Sequence, residues 1–347
     1  NIRKPGCDAM TGKKSAVFFA LLAAALYAVN IPLSKLLEES GAVTPAMLAG
    51  LLYCGAGVGM AAVFCFKRIS GINREEKLLC RKDLPYTVAM VLLDIAAPVL
   101  LMFGVANTAS ANVSLLNNFE IVATSLIAFT VFREKISPRK WAAIVLVVAA
   151  SVILGFESAD AFRFSRGSVY VLLACLCWGV ENNCTRKISD KSPQEIVMIK
   201  GIFSGAGGVA VAFIAGEGLP ELWCVCAVML LGFVAYGFSI SFYITAQKSI
   251  GAAKTSAFYS VAPFFGVGFS FVLVGERPEP QFYLALAVMA VSTVIMVRDT
   301  LSGGAESRVY CHTHTHRHGG TVHLHEHRHI AFSPFHIHFH SHTGTKI

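Results

Sequence analysis

The fold is decided by TVFREKISP (Thr130–Pro138) and by its second copy, VLVGERPEP (Val272–Pro280). Glu134 in the first copy matches Glu276 in the second, and in both copies a Pro follows four residues later. Each copy ends one apolar segment and is followed directly by another. A repeated junction between apolar segments indicates that the chain contains two copies of one membrane unit.

The duplication extends to the earlier parts of each half. LLAAALYAVNIPLSK (Leu21–Lys35) aligns with LLACLCWGVENNCTR (Leu172–Arg186), and CGAGVG from Cys54 aligns with SGAGGV from Ser204. A period near half the chain is far longer than the repeats of solenoid proteins. Internal duplication of apolar segments is typical of secondary transporters, so the repeat points to transport.

The composition excludes an ordinary soluble protein. Of the 347 residues, 55% are hydrophobic and 14% are charged, and the mean hydropathy is +0.61. A soluble domain carries about 25% charged residues. No polar linker separates the halves, which predicts one membrane domain. The formal net charge is +8, but the basic residues lie in short loops, which argues against a nucleic-acid partner.

Ten apolar windows are long enough to span a bilayer, which takes roughly 20 residues. They are 16–36, 46–66, 84–104, 111–132, 141–156, 168–188, 195–215, 223–244, 256–274 and 282–297. We therefore predict an all-α membrane protein with ten transmembrane helices, arranged as two inverted five-helix repeats in the lipid bilayer. The predicted parts are a cytoplasmic segment 1–14, the repeats 15–156 and 168–298, an external connector 157–167 and a tail 299–347.

The orientation is predicted from the basic residues of the loops. Lys and Arg are concentrated in alternate loops, at 67–82, 133–140 and 186–191, whereas the opposite loops hold only Arg163, Arg166 and Arg277. Because cytoplasmic loops carry the excess of Lys and Arg, both termini are predicted to be cytoplasmic in a cell membrane. Five helices per repeat is an odd number, so the second repeat crosses in the opposite sense.

The start of the chain leaves two questions. The first residue is Asn, and Met10 is the candidate for a natural start. The first apolar window could also be a signal peptide. Its match inside the second half predicts a helix that the mature protein retains.

These features resemble EamA-type members of the drug/metabolite transporter superfamily over about residues 17–297. The resemblance rests on the two helices that end in Glu134 and Glu276, each followed by Pro and an apolar helix. Family members have Gly early in the last helix of each repeat, where Ala143 and Ala285 stand here, so a small residue is kept. The resemblance implies a secondary carrier, often an exporter, with a central cavity between inverted halves.

Ionisable side chains at membrane depth are the candidate substrate or coupling-ion residues. A charge at the centre of a helix costs about 2.5–3.5 kcal/mol to insert, so it faces a cavity or a partner. The alternatives are an ion pair of Glu120 or Glu181 with Lys200, and helix packing for Trp178. The candidates are the acids Asp94, Glu120 and Glu181, the amides Asn117, Asn118 and Asn182, and Trp178, which could stack on a solute.

No motif predicts an enzyme. The sequence has no G-x-x-x-x-G-K-[ST] phosphate loop, so ATP use by this chain alone is not predicted. His325–His329 matches H-E-x-x-H, but a zinc protease needs both His on one buried helix face. Every second residue of this region is His, so the match is expected by chance. The chain is predicted to need no cofactor.

All twelve histidines lie in the tail, mostly in H-x-H patterns. Neutral imidazole binds Zn, Ni and Cu, and alternate spacing puts imidazoles on one side of an extended chain. We expect this tract to bind Zn or Ni and to be disordered without metal. It could buffer metal, sense it, or be a low-complexity extension with no role. Its histidines are His312, His314, His316, His318, His323, His325, His327, His329, His336, His338, His340 and His342.

Three functions are compatible with the sequence. The first is a proton- or ion-coupled exporter of small polar or cationic metabolites that works by alternating access. The second is a carrier of divalent Ni, Co or Zn whose tail collects the ion. The third is a membrane receptor or metal-storage protein that transports nothing. The expected partners are a small-molecule substrate and the bilayer, and both a monomer and a homodimer fit the sequence.

Overall fold

The computed structural model describes residues 5–70, 77–133, 136–155, 165–188, 191–250, 255, 258–301, 309–318 and 321–330. The chain divides into two compact units, Asn1–Leu301 and Ser302–Ile347. The described part of the first unit is built from helices, and that of the second from two strands.

The helices of the first unit follow the ten predicted windows, although the first helix begins at Pro5, before the first window. In the first half they are α1 (Pro5–Ala28), α2 (Asn30–Glu39), α3 (Pro45–Ile69), α4 (Leu84–Asn107), α5 (Ser110–Leu116), α6 (Phe119–Phe132) and α7 (Pro138–Gly155). In the second half they are α8 (Arg166–Lys187), α9 (Pro193–Ile214), α10 (Leu222–Gly232), α11 (Ser239–Ile250), α12 (Ala262–Phe269) and α13 (Pro280–Leu301). A 3-10 turn (Arg81–Asp83) precedes α4, and π-helical segments lie at Phe233–Phe238 and Ser270–Val274.

Seven helical stretches of the described chain are long and apolar enough to cross a membrane, and Ala262–Val274 is a shorter apolar one. The remaining helices, α7 and α8, pack into the same bundle against α13 and α4. Glu181 and its neighbouring amides make α8 less apolar than a simple span. The predicted all-α membrane fold is thus confirmed.

The two halves are inverted copies of each other. In the second span of each half, Gly50 of α3 meets Gly208 of α9, and Gly57 meets Gly201. Residue numbers rise along one helix as they fall along the other, so α3 and α9 are antiparallel. The fifth spans behave alike, because Ser292 of α13 donates to the carbonyl of Ala143 in α7 at 2.8 Å, and Ser137 donates to Asp299 at 2.7 Å.

Small residues bring α3 and α9 into backbone contact. A Cβ added at Gly57, Gly201 or Gly205 would overlap the backbone of the facing helix. Such close approach is how small residues join helices in lipid. Gly55 and Gly59, the other small pair of α3, face Met229 and Phe233 of the eighth span instead.

Several spans are interrupted near their middle. The fourth span breaks between α5 and α6, where Asn118 N bonds Leu115 O and Glu120 N bonds Asn117 O, both at 3.1 Å. These bonds span three residues instead of the four of an α-helix. The Leu116 carbonyl accepts from the Cys175 thiol at 3.7 Å. Non-helical backbone at membrane depth is tolerated where it is buried in protein or lines a cavity.

Two carboxylates of the second half cap helices of the first half. Glu276 accepts from Ser110 N at 2.6 Å, Ser110 Oγ at 2.7 Å and Ala111 N at 2.9 Å, at the start of α5. Glu217 accepts from Met47 N at 2.8 Å, at the start of α3. Both helices start at the same end of the bundle, which we call the capped end. Glu134, the repeat equivalent of Glu276, lies outside the described residues.

The second unit forms an antiparallel hairpin of β1 (Val309–His318) and β2 (Thr321–Ile330). Its register pairs His312 with His327, His314 with His325 and His316 with His323. This hairpin differs from the tail expected to be disordered without metal. The alternation of His with other residues has the two-residue period of a strand, and the short connection permits antiparallel pairing. The histidines from His336 onward lie outside the described residues.

Candidate functional site

A cavity of about 550 Å³ lies between the two halves. Six of the seven predicted membrane candidates line it, and the seventh, Asp94, lies behind Trp178 and Lys200. The lining extends to Thr185 in the last turn of α8 and Ile196 in the first turn of α9. Gly167, at the start of α8, packs on Asn107 at the capped end, so the last turn of α8 lies at the opposite end. Because Thr185 of that turn lines the cavity, the cavity extends toward this opposite end.

Lys200 of α9 connects two of the three acids. Its ammonium lies 2.9 Å from Asp94 Oδ2 and 3.0 Å from Glu181 Oε1. Asp94 also accepts from Trp178 Nε1 at 3.2 Å and Tyr53 OH at 3.3 Å. The ion pair of Glu181 with Lys200, given above as the alternative to a transport role, is therefore present in the structure. Asp94 shares the same ammonium. Both carboxylates are almost fully buried, so their charges depend on these partners.

Glu120 of α6 has a different environment. Its Oε1 accepts from Asn182 Nδ2 at 2.7 Å, and the same amide donates to Thr124 Oγ1 at 3.2 Å. Among the described residues, no Lys or Arg nitrogen lies within 4.0 Å of Glu120. The charge of Glu120 is therefore met by a neutral amide at the wall of the cavity.

Five tyrosine rings form a continuous wall, which we call the tyrosine belt. Neighbouring ring centroids lie 5.1–5.9 Å apart. Two of the hydroxyls are fixed by amides: Asn117 donates to Tyr27 at 3.2 Å, and Asn30 donates to Tyr236 at 3.0 Å. In order along the wall, the belt is Tyr53, Tyr236, Tyr27, Tyr259 and Tyr243.

The repeat alignment also relates buried polar groups of the two halves. Asn30 aligns with Glu181, and in both halves a hydroxyl one turn later bonds the side chain: Ser34 donates to Asn30 Oδ1 at 3.3 Å, and Thr185 donates to Glu181 Oε1. The first half thus places a neutral amide where the second places a carboxylate. The duplicated scaffold has become electrostatically asymmetric.

Sequence analysis missed the tyrosine belt and gave Lys200 only as a structural partner. It also missed Asn30. Tyr27 and Asn30 had a signal, because they align with the candidates Trp178 and Glu181 of the second half. Of the remaining tyrosines, Tyr236 and Tyr243 lie seven residues apart in the eighth span, whereas Tyr53 and Tyr259 come from two other spans. Their convergence follows from the way the halves pack.

In the part of the chain that the structure describes, no group of three His, Cys, Asp or Glu side chains is arranged to hold a metal ion. Of the three membrane acids, Asp94 and Glu181 pair with the ammonium of Lys200, and Glu120 contacts an amide. Side chains of the tail hairpin lie outside that description.

Comparisons with known proteins agree with this architecture. The EamA-like transporter family matches residues 14–156 and 165–298. An uncharacterized transporter of Methanothermobacter thermautotrophicus (strain Delta H) is 27% identical over 222 residues, which cover 60% of this chain and 64% of that protein. A solved crystal structure matches 83% of this chain and 98% of its own chain with a TM-score of 0.60, at 17% identity, which shows a shared fold. This multi-pass membrane protein belongs to the EamA-like transporter family.

Proposed function

We propose that this protein is a secondary active transporter that exports small polar or cationic metabolites by alternating access between its inverted halves. The observation that carries this proposal is the cavity between the halves. Glu120 and Glu181 line it, Asp94 lies behind its wall, and among the described residues Lys200 supplies the one ammonium there, paired with Asp94 and Glu181. With all groups ionised, the acids exceed Lys200 by two negative charges. Such a site attracts cations and repels anions.

The shape of the cavity supports export. Its lining reaches the end at which α8 ends and α9 begins, and this end carries the basic loops that predict the cytoplasmic side. At the capped end, Glu217 and Glu276 bridge the two halves. A cargo would enter from the cytoplasm, and rocking of the halves would release it at the capped end.

The orientation belongs to the same proposal. We place the protein in a cell membrane with both termini in the cytoplasm. Basic residues lie in the last turns of α3 (Lys67, Arg68) and α8 (Arg186, Lys187), at the same side of the bundle, as expected of cytoplasmic ends.

Transport is tested with purified protein in liposomes. The vesicles contain a mixture of organic cations, amino acids and sugars under an imposed pH gradient, and mass spectrometry follows each solute while a dye reports internal pH. We expect faster flux of at least one organic cation, with protons moving in the opposite direction. Glu120→Gln is expected to flatten the pH dependence of that flux. Equal flux from protein-free vesicles would contradict transport.

A divalent-metal carrier is the second candidate, because the hairpin register pairs histidines across its strands. In the same assay, this function predicts flux of Ni, Co or Zn, reduced by truncation after Leu301, without flux of organic cations. If nothing moves while solutes still bind, the receptor function is favoured instead. The membrane acids, without paired His or Cys ligands in the described spans, favour the metabolite transporter.

A further inference from the structure

The three membrane acids are not equivalent, and their partners divide them into two sets. Asp94 and Glu181 share the ammonium of Lys200, and Asp94 also accepts from Trp178 and Tyr53. These contacts fix both carboxylates. In the described part of the chain, the carboxylate of Glu120 accepts one side-chain hydrogen bond, from Asn182. It is the acid whose charge is available to a cargo.

Asn118 supplies a second, independent indication of a ligand. It lines the cavity, its exposed fraction is 4%, and its Nδ2 has no hydrogen-bond partner in the described structure. It occupies the N-cap position of α6 but makes no capping hydrogen bond with its side chain. A buried donor without a partner costs about 1–3 kcal/mol, so a bound acceptor would remove this penalty.

We propose that Glu120 and Asn118 form a subsite for an organic ammonium ion that carries a hydrogen-bond acceptor close to its nitrogen. Glu120 takes the ammonium, Asn118 donates to the acceptor, and the tyrosine belt contacts the apolar body. Aromatic faces attract organic cations, and a cavity of this volume suits a small organic ligand. This assignment rests on the proposed function only in taking the cavity as the cargo site.

Other cargo classes fit these groups less well. A divalent cation such as Ca²⁺ takes six to eight oxygen ligands, whereas Glu120 stands beside an amide donor that competes with a metal. An anion would meet the unbalanced charge of Glu120. A neutral solute would leave that charge uncompensated. A monovalent ammonium matches one carboxylate and one amide.

Binding to purified protein tests the subsite without requiring transport. Trp178 lines the cavity, whereas Trp141 and Trp223 are 37% and 57% exposed, so Trp141→Phe with Trp223→Phe leaves one reporter for fluorescence titration. Three probes separate the interactions: phenylalaninol carries both an ammonium and a hydroxyl, phenethylamine lacks the hydroxyl, and 3-phenylpropan-1-ol lacks the ammonium. Glu279→Gln, at an exposed residue away from the cavity, is the control.

We expect phenylalaninol to bind more tightly than phenethylamine, and 3-phenylpropan-1-ol to bind most weakly. Glu120→Gln should weaken both amines about tenfold or more, which corresponds to the loss of a charged hydrogen bond. Asn118→Leu should weaken phenylalaninol severalfold and leave phenethylamine unchanged. The Glu279→Gln protein should match its parent.

Two results overturn the subsite: amine binding that is unaffected by Glu120→Gln, or Asn118→Leu that weakens both amines equally. Retained circular dichroism and unfolding temperature exclude a folding defect as the cause. Failure of liposome transport with normal probe binding would reject the proposed function alone. Normal transport with binding insensitive to Glu120 would reject the subsite alone.

Discussion

At the scale of single residues, Lys200 holds the polar centre together. Its side chain is 19% exposed, and its ammonium lies between two carboxylates whose side chains are 0% and 2% exposed. Removing one partner of a buried ion pair leaves uncompensated charge and costs about 3–5 kcal/mol. We expect Lys200→Met to lower the free energy of unfolding by this order, measured by denaturant titration in detergent micelles.

Two comparison variants make that result specific. Lys82→Met removes a charge from an exposed residue and should change stability little. Lys200→Met combined with Asp94→Asn and Glu181→Gln removes all three charges and should recover much of the loss. A single Lys200→Met protein as stable as its parent would mean that the carboxylates are protonated or solvated without Lys200.

Sequence analysis found mainly the site residues whose polar or charged side chains are unfavourable to insert into lipid. Glu120 and Glu181 are visible in an apolar sequence because a charge there needs a reason. A tyrosine such as Tyr236 carries no such cost and is not distinguished from a packing residue. The pairing of Asp94 with Lys200 was also hidden, because the two lie in different spans and their contact depends on helix packing.

At the scale of secondary-structure elements, Glu276, the second copy of the repeated Glu, caps the start of α5. Replacing Glu276 by Ala removes three hydrogen bonds at the start of α5. Loss of an N-terminal cap costs about 0.5–2 kcal/mol, and we expect a decrease of this size in the unfolding free energy. Glu279→Ala, three residues away and exposed, is the matched control. Equal effects of the two substitutions would argue against the cap.

The tail hairpin gives a prediction about metal. The full-length protein should bind Zn or Ni more tightly than a protein truncated after Leu301, as measured by calorimetric titration. Because neutral imidazole is the ligand, the extra binding should weaken as pH falls through about 6.5, the ordinary His pKa. Binding that is equal in both proteins, or insensitive to pH, would leave the hairpin without a metal function.

The helix boundaries were predictable, but the breaks within the spans were not. Apolar length located most spans to within a few residues, as for α4, predicted from 84 and observed as Leu84–Asn107, but α1 begins at Pro5, eleven residues before the predicted 16. The break before α6 depends on Asn117 and Asn118, whose side chains line a cavity that forms only when the halves meet. Hydropathy measures transfer into lipid and is insensitive to such a break.

At the scale of the whole molecule, the inverted repeat ties mechanism to geometry. Antiparallel contacts between α3 and α9 run along the interface of the halves, while the carboxylate caps of Glu217 and Glu276 join the halves at one end. The cavity extends toward the other end. For the cavity to open at the capped end, the caps of Glu217 and Glu276 would have to loosen while the opposite end closes.

The assignment of sides can be checked by cysteine labelling. Leu219 lies beyond α9 at the capped end and is 65% exposed, whereas Ile69 ends α3 at the opposite end and is 83% exposed. In a protein whose native cysteines are replaced, a membrane-impermeant maleimide should label Leu219→Cys in intact cells. It should label Ile69→Cys only after permeabilisation, because the basic loops keep that end in the cytoplasm. The reverse pattern would invert the molecule, so the cavity would face outside and the proposed direction of transport would become import.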